Sequence, residues 1–371
     1  MGQIQMVEEQ TNKTKIAQFI RFQGETSKTE IATNLKISMP TVLQNLKDLS
    51  ESGMIEEIGC YESTGGRKAK RLAIVAGYRK AIGIDITANH LSFVMIDLQE
   101  QILFEKRLRV AFHNDFDYYE NVFHELERFV LDSKAKREDI LGVGISMPGI
   151  VDHEKSLLVK SHVLQISNVS LMNLSQLCPF PIYVENDANS AAMAEAHEVT
   201  GNAVYLSLSN SVGGAIYLNQ EIYKGNHFRS GEFGHFIIEA NGRECYCGKK
   251  GCFDAYCSAR VLSSYTDGNL EDFFERLQNK DQELERVWDS YLDYLAIGIT
   301  NLRMSFDCDI ILGGYVGAFL KDYLLDLNKK MMKYNKFEDD TTYIKVCKYK
   351  NESSAVGVAT YFIEAMFQQL S

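Results

Sequence analysis

The sequence contains no uninterrupted apolar stretch of the roughly 18–20 residues that a membrane-spanning helix needs. Its first residues also lack an apolar core behind a basic flank, so we expect no secretory signal. Both absences predict a cytoplasmic protein with no membrane partner. The 45% apolar and 24% charged residues are typical of a globular protein, and 371 residues are enough for two or three domains.

The chain also lacks the positive net charge of proteins that bind nucleic acid over their whole surface, because its net charge is −11. The charge is unevenly distributed. The first 75 residues carry 10 Lys+Arg and 9 Asp+Glu, whereas the remainder carries 29 and 41. A compact basic run covers residues 67–71. This asymmetry predicts that only the N-terminal part contacts phosphate groups.

Three short helices are predicted near the N-terminus. Apolar residues at helical spacing predict the first helix over Thr14–Phe22. Ser27 and Glu30 have the spacing of a capping box, so a second helix should follow Ser27. Ser38 would cap a third helix that ends at Gly53.

The third helix has one apolar and one polar face. Val42, Leu46 and Leu49 have the spacing of core residues. A helix, a tight turn and a second helix with amide side chains on its free face are typical of proteins that read the DNA major groove. The DNA contacts predicted here are Ser38, Thr41, Gln44, Asn45 and Lys47.

A β-hairpin is predicted next, with strands at Met54–Ile58 and Leu72–Val75 and the basic run near its tip. Its basic side chains would contact phosphate or the minor groove. Residues 1–75 are therefore predicted to form a winged helix-turn-helix DNA-binding domain, with a helical module for protein contact as the alternative. The contacts predicted from the hairpin are Arg67, Lys68 and Lys70.

The remaining residues, 76–371, alternate strands and helices with glycine-rich turns. This pattern is typical of α/β folds with a ligand cleft at the strand ends. Helices are predicted over Phe112–Ser133 and, after the Asn186–Asn189 motif, through Glu198. The predicted strands are Lys80–Ile86, His90–Leu98, Ile140–Ser146, Ile182–Glu185, Ala203–Ser209, Gly214–Leu218 and Ile310–Leu312.

Four of the eight cysteines fall within 13 residues, from Cys245 to Cys257. In a chain without an export signal, such a cluster favours metal binding over disulfides. His235 with Cys245, Cys247 and Cys252 supplies one imidazole and three thiolates, the ligand set of a structural zinc site. Buried cysteines without a metal are the alternative, and Cys257 is predicted to be an inert core thiol.

From about residue 80 to the C-terminus, the chain resembles the ROK family (repressors, open reading frames, sugar kinases). Residues 1–75 resemble the winged helix-turn-helix of that family's repressors. The resemblance implies a two-lobed actin-like, ribonuclease H-like domain, with lobe 1 at about 80–185 plus the C-terminal helix and lobe 2 at about 186–350. The motifs that carry it are Pro148–Asp152, Val184–Asn189, Glu232–His235 and Cys245–Cys252.

By position, the resemblance implies a sugar site formed by Asn186, Asp187, Glu232, His235 and Asp254. Such side chains can hydrogen-bond vicinal hydroxyl groups. The family usually has glutamate where this chain has Asp254, so the shorter side chain predicts an altered sugar contact. Taken alone, Asp187 and Glu232 would be no more than helix caps or surface carboxylates.

The nucleotide side departs from the family's kinases. They follow the first strand with an Asp-x-Gly-Gly-Thr turn that approaches phosphate, whereas this chain reads Asp85-Ile86-Thr87-Ala88-Asn89. The second phosphate loop, Ser209–Ala215, has also lost glycines. We therefore expect no kinase activity and keep Asp187, the family's catalytic base, as a ligand contact. Gly313-Gly314 fits either an adenosine turn or an ordinary strand-to-helix turn.

These observations predict a sugar-responsive transcriptional regulator, most simply a repressor, that binds operator DNA as a homodimer or a dimer of dimers. A monosaccharide between the lobes would close the cleft and change the spacing of the two DNA-binding domains. The alternatives are an ATP-dependent sugar kinase with a DNA-binding extension and a non-enzymatic scaffold held together by zinc.

Overall fold

The computed structural model describes residues 11–61, 69–172, 174–196, 199 and 201–370. Arg67 and Lys68 therefore lie outside the described residues, as does Glu198, the predicted end of one helix. The helices are α1 (Asn12–Gln23), α2 (Lys28–Leu35), α3 (Met39–Glu51), α4 (Phe116–Ser133), α5 (Leu174–Leu177), α6 (Asp187–Glu195), α7 (Asp254–Cys257), α8 (Ala259–Ser263), α9 (Leu270–Gln278), α10 (Gln282–Phe306), α11 (Gly314–Leu320), α12 (Leu324–Tyr334) and α13 (Ser353–Gln368).

Within the described residues the strands form four sheets, of which two have five strands and two have three. The strands are β1 (Glu25–Thr26), β2 (Ile55–Cys60), β3 (Lys70–Ile74), β4 (Lys80–Ile86), β5 (His90–Asp97), β6 (Ile102–Arg109), β7 (Ile140–Met147), β8 (Ile150–Asp152), β9 (Leu157–Ser161), β10 (Ile166–Ser170), β11 (Ile182–Asn186), β12 (Ala203–Leu208), β13 (Val212–Leu218), β14 (Glu221–Ile222), β15 (Asp309–Gly313) and β16 (Ile344–Val346).

The head, which we define as the described residues 11–61 and 69–75, contains α1–α3 and the sheet β1-β3-β2. The predicted capping box is confirmed. The Ser27 hydroxyl accepts a hydrogen bond from the Glu30 backbone N–H, and the Glu30 carboxylate accepts one from the Ser27 backbone N–H. The third helix follows Ser38, and Val42 lies in its buried face as predicted. Strand β1, which pairs with β3, was not predicted because two residues show no periodicity.

The two five-stranded sheets of the body share one pattern. In the first, ordered β11-β7-β4-β5-β6, the pairs β11–β7 and β7–β4 are parallel and the others antiparallel. In the second, ordered β14-β13-β12-β15-β16, the pairs β12–β15 and β15–β16 are parallel. All of the predicted body strands are present, but β6, β14, β16 and the sheet β10-β9-β8 were missed. The predicted helix from Phe112 begins only at Phe116, because Asp115 caps its first turn.

Helices α6 and α13 lie between the two large sheets. Helix α13 packs on β4, β5 and β7 of the first sheet and on α6, while α6 packs on β12 and β13 of the second. The Asn186-Asp187 motif stands at the start of α6 and therefore lies where the two sheets face each other. The boundaries assigned to the two lobes, like the one at residues 75–76, stay predictions.

Glycines bring α13 unusually close to its neighbours. A Cβ atom at Gly83 in β4 would overlap the Ala355 carbonyl of α13, and one at Gly144 in β7 would also meet the α13 backbone. On the opposite side, a Cβ at Gly357 would overlap the Ser190 carbonyl of α6. The C-terminal helix is thus held between the first sheet and α6 by direct backbone packing.

The head and the body share part of their apolar core. Ile16 and Ile20 of α1 belong to the same buried cluster as Ile363 and Phe367 of α13. The head is therefore packed on the body through the C-terminal helix. Among the described residues, no helix combines the length and apolarity required to cross a membrane.

We predict that Gly357→Ala lowers the free energy of unfolding by about 1–3 kcal/mol, because the added methyl group must push α13 away from α6. Chemical denaturation of both proteins measures the difference. Gly77→Ala is the control, since a Cβ at Gly77 meets no atom within 4 Å. An equal effect of the two substitutions would contradict the proposed close packing.

Candidate functional site: a polar cavity beside a four-donor cluster

A cavity of about 110 Å³ opens at the start of α6, between the two large sheets. Four of the five residues predicted to bind sugar line it: Asn186, Asp187, Glu232 and His235. The sequence did not single out several other lining side chains, among them Lys160, His162, Asn189, Ser207, Lys224, Phe228 and Tyr246. The cavity wall is rich in hydrogen-bonding groups, which suits a polyhydroxylated ligand.

Asn186 joins two of the sequence motifs at the cavity. Its Oδ1 accepts from the Asn189 backbone N–H at 3.0 Å, which caps α6. Its Nδ2 donates to the Gly149 carbonyl at 2.9 Å and to Asp187 Oδ1 at 3.0 Å. Burial raises the pKa of Asp187, and hydrogen bonds from the Ala188 backbone and from Asn186 oppose that shift.

Glu232 and His235 approach the cavity from a short 3₁₀ turn. Burial, with a smaller contribution from the Asp187 charge, raises the pKa of Glu232. His235 Nδ1 lies 3.9 Å from Cys245 Sγ, while its Nε2 lies 3.4 Å from the Tyr246 hydroxyl. One ring nitrogen of His235 therefore faces the cysteines and the other faces the cavity side.

Asp254, the fifth predicted sugar contact, is placed differently. It is buried, does not line the cavity, and accepts a 2.6 Å hydrogen bond from the Val212 backbone N–H through Oδ1. The structure thus gives the Asp254 carboxylate a role in fixing the loop that leads into β13. Val212 itself lines the cavity, so Asp254 reaches the ligand space only through the backbone it holds.

Glu185 is the principal cavity residue that the sequence did not reveal. Its carboxylate accepts from the Tyr183 hydroxyl at 2.7 Å and the Asn186 backbone N–H at 2.8 Å, and it pairs with Lys224 at 2.8 Å. Although burial favours the neutral acid, His153 and Lys224 hold the pKa of Glu185 well below its usual range. The signal available in the sequence was the position of Glu185 inside the Val184–Asn189 motif, at the end of a buried strand.

The four predicted metal ligands come together. One donor atom from each of His235, Cys245, Cys247 and Cys252 lies within 4.8 Å of all the others. Gly251 has a φ of +79°, and a Cβ atom there would overlap the Glu239 carbonyl. Glycine therefore permits the tight turn before Cys252. One imidazole and three thiols at these separations fit a single metal ion. Cys257 is fully buried and lies outside this set, as predicted.

The predicted nucleotide half of the cleft is a second cavity of about 170 Å³, lined by Asp85, Thr87 and Tyr315 among others. Two N–H groups of its first turn are engaged within the turn. The Thr87 N–H donates to the His90 carbonyl at 3.0 Å, and the His90 N–H donates to Thr87 Oγ1 at 3.0 Å. These two N–H groups are therefore already paired, and the turn carries Thr87 and Ala88 where the family's kinases have glycines.

The Gly313-Gly314 pair has a structural explanation. A Cβ at Gly313 would overlap the Tyr205 ring. At Gly314, where φ is +75°, a Cβ would lie only 2.7 Å from the Leu208 backbone nitrogen. Both glycines are therefore required by the turn from β15 to α11, whether or not a nucleotide binds there.

The outward face of α3 carries the predicted DNA contacts. Ser38, Gln44 and Lys47 are exposed. Thr41 and Asn45 are half-buried, since Thr41 Oγ1 lies 2.8 Å from Ser38 Oγ and Asn45 Nδ2 donates to the Thr41 carbonyl. Exposed Leu43 and Met39 accompany them and were not predicted.

Of the three DNA contacts predicted from the hairpin, Lys70 lies within the described residues, at the start of β3. Lys70 is paired with Glu57 at 2.5 Å across β2 and β3. This pair is solvent-exposed, so a phosphate group can compete for the lysine.

A family model described as the ROK family matches residues 81–365. The chain belongs to the ROK family. The xylose repressor of Caldicellulosiruptor bescii is 24% identical over 384 residues, with 96% of both chains covered. The resemblance inferred from the motifs is therefore confirmed.

Two solved structures of ROK proteins support the fold. A ROK family transcriptional regulator, described as a homologue of the E. coli MLC protein, has a TM-score of 0.74 at 18% identity, with 96% of both chains covered. A ROK hexokinase from Thermus thermophilus has a TM-score of 0.64 at 22% identity, covering 77% of this chain and 99% of its own. The predicted fold class is confirmed.

We predict that Asp85→Asn removes a pH dependence of stability. Burial, opposed by the Ser146 hydrogen bond and helped by the Asp187 charge, raises the pKa of Asp85 from 3.8 to about 7. The folded protein therefore binds the extra proton between these two pH values, so stability falls as pH rises through that window and then levels.

The melting temperature of Asp85→Asn relative to the unmodified protein should therefore rise from pH 5 to pH 7. Asp132→Asn, on the exposed side of α4, is the control and should show a flat difference. A difference that stays flat for Asp85→Asn as well would show that Asp85 ionises normally.

Proposed function

We propose that this ROK protein is a sugar-responsive transcriptional repressor that binds operator DNA as a homodimer. The observation that carries the proposal is the exposed polar face of α3 on the same chain as a cavity lined by Asn186, Asp187, Glu232 and His235. The head would recognise the operator, and the cavity would bind the monosaccharide that controls it.

A role in recognition fits the cleft better than phosphoryl transfer. Transfer from ATP requires backbone or side-chain groups that position the phosphates. In the turn after β4, the N–H groups of Thr87 and His90 are paired with each other's residues, and Thr87 and Ala88 stand where the family's kinases have glycines. Asp187 can still accept a hydrogen bond from a sugar hydroxyl without any transfer step, so its retention is compatible with a sensor.

Xylose is the first ligand to test. Curated relatives that align over 96% of this chain are named xylose repressors, and others that align over 72% are named N-acetylglucosamine repressors. The buried position of Asp254 leaves the sugar contacts to Asn186, Asp187, Glu232 and His235.

Zinc is the metal that best fits the four-donor cluster. Three thiolates and one imidazole make a tetrahedral set without an open position, which is typical of structural zinc. Such an ion would fix the His235 ring, whose other nitrogen lies on the cavity side. The metal's role would therefore be to hold one wall of the sugar cavity.

DNA recognition would follow the usual helix-turn-helix geometry. The side chains that would enter the major groove are those of Ser38, Thr41, Gln44, Asn45 and Lys47. The hairpin residues Arg67, Lys68 and Lys70 would contact the DNA backbone. Two heads of a symmetric dimer would then read half-sites separated by about one or two helical turns, near 34 Å per turn.

We predict that Asp187→Asn keeps operator binding but needs about 10–100-fold more sugar to release the operator, because it weakens a hydrogen bond to a charged acceptor. A gel-shift titration of the gene's own upstream DNA with sugar measures both properties. Gln44→Ala is the complementary control, since it should weaken operator binding while leaving the sugar-induced rise in melting temperature intact.

Three results would contradict the proposed function. The first is that no upstream DNA fragment binds the protein. The second is that no sugar in a panel of pentoses, hexoses and N-acetyl sugars raises the melting temperature. The third is that the protein rapidly releases ADP from ATP and magnesium with one of those sugars. The last result would favour a sugar kinase with a DNA-binding extension.

We predict that the purified protein carries about one zinc ion per chain and that Cys252→Ser loses it. Because the ion would hold His235, the same variant should also bind sugar more weakly. Elemental analysis after dialysis measures the metal. Cys257→Ala is the matched control, since Cys257 is buried nearby but outside the donor set. Equal metal content in both variants would exclude the proposed site.

A further inference from the structure

One buried cation connects the head to two separate parts of the body. Arg21 lies on α1, and its side chain is only 3% exposed. Its Nη1 lies 2.6 Å from Glu364 Oε1 on α13, and its Nη2 lies 2.6 Å from Glu100 Oε1 in the turn between β5 and β6. The guanidinium also stacks on the Phe367 ring, with its carbon 5.0 Å from the ring centre.

The head also supplies partners for one carbonyl group in the last turn of α13 and for one just after the helix. Thr11 Oγ1 donates to the Leu370 carbonyl at 2.8 Å, and Thr14 Oγ1 lies 3.0 Å and 3.3 Å from the carbonyls of Leu370 and Phe367. The final carbonyls of a helix have no partner within the helix. The C-terminal end of α13 is therefore completed by the head.

The opposite end of α13 contacts the backbone of Asp187, a residue that lines the sugar cavity. Ser354 Oγ, in the first turn of α13, donates to the Asp187 carbonyl at 3.1 Å. One turn later, Gly357 packs directly on the Ser190 carbonyl of α6. A helix of 16 residues spans about 24 Å, so a single straight element reaches from the start of α6 to the head.

We propose that Arg21 is a positioning residue that sets the head on α13, so that sugar binding at Asp187 reaches the DNA-binding surface through this one helix. The proposal rests on the proposed function, because it names the route by which that sugar would act. A shift of α6 on sugar binding would displace α13, and with it Glu364, relative to Glu100.

The chemistry of Arg21 suits this role. The planar guanidinium presents donors in fixed directions and bonds both carboxylates at once. Removing one partner from a buried ion pair leaves an uncompensated charge, which costs much more than the pair itself contributes. When Glu364 moves, Arg21 must therefore follow it, and α1 must follow Arg21. The head cannot keep its orientation while α13 shifts.

The test compares coupling in three variants of the full-length protein. The measured quantity is the operator dissociation constant at saturating sugar divided by the constant without sugar. The sugar is xylose or, if another sugar gives a larger thermal shift, that sugar. Arg21→Lys keeps the charge but cannot bond both carboxylates in the same way, and Glu364→Gln weakens only the bond to α13. Arg303→Lys is the matched control, because Arg303 forms a comparable half-buried pair with Glu338 between α10 and the segment after α12.

We expect both Arg21→Lys and Glu364→Gln to bring this ratio to within about twofold of one, against the 5–150-fold typical of allosteric coupling. Sugar affinity of the free protein should stay within about twofold of the unmodified value, and Arg303→Lys should keep the full ratio. An unchanged ratio in Arg21→Lys or in Glu364→Gln would overturn the proposal. So would weaker operator binding with an unchanged ratio, since Arg21 would then only stabilise the head.

Failure of the proposed function would look different. In that case the unmodified protein would itself show no operator binding or no effect of sugar on it. A normal ratio in the unmodified protein that persists in Arg21→Lys would reject the role of Arg21 alone.

Discussion

The close packing of α13 between the first sheet and α6 is the contact on which the rest of the molecule depends. Glycines at positions 83, 144 and 357 remove the side chains that would separate these backbones. The same helix carries Phe367 and Ile363, which share an apolar cluster with α1. One helix therefore joins the first sheet, α6 and the head.

The two halves of the cleft differ in how closely they match the family's kinases. Around α6, the cavity retains Asn186, Asp187, Glu232 and His235, with the four-donor cluster directly behind His235. After β4, the turn is closed by its own hydrogen bonds between Thr87 and His90. A ligand that binds this cavity favours the conformation to which it binds, which is what the proposed sensor requires.

Local signals in the sequence predicted much of this arrangement. The capping box of Ser27, the buried strands and the cysteine spacing each depend on nearby residues, and all appear as predicted. Contacts between distant segments were not predictable in this way. Asp254 was assigned to the sugar by motif position, but its partner is the backbone of Val212, 42 residues away. The bond between Arg21 and Glu364 spans 343 residues and leaves no periodic trace.

The central claim is that the sugar cavity and the DNA-binding head are thermodynamically linked. Linkage is reciprocal: if sugar changes operator affinity by some factor, operator must change sugar affinity by the same factor. Calorimetric titration of the sugar into free protein and into the protein–operator complex measures this directly. We expect weaker sugar binding in the complex, by the factor with which sugar weakens operator binding. Equal sugar affinity in both states would contradict the account.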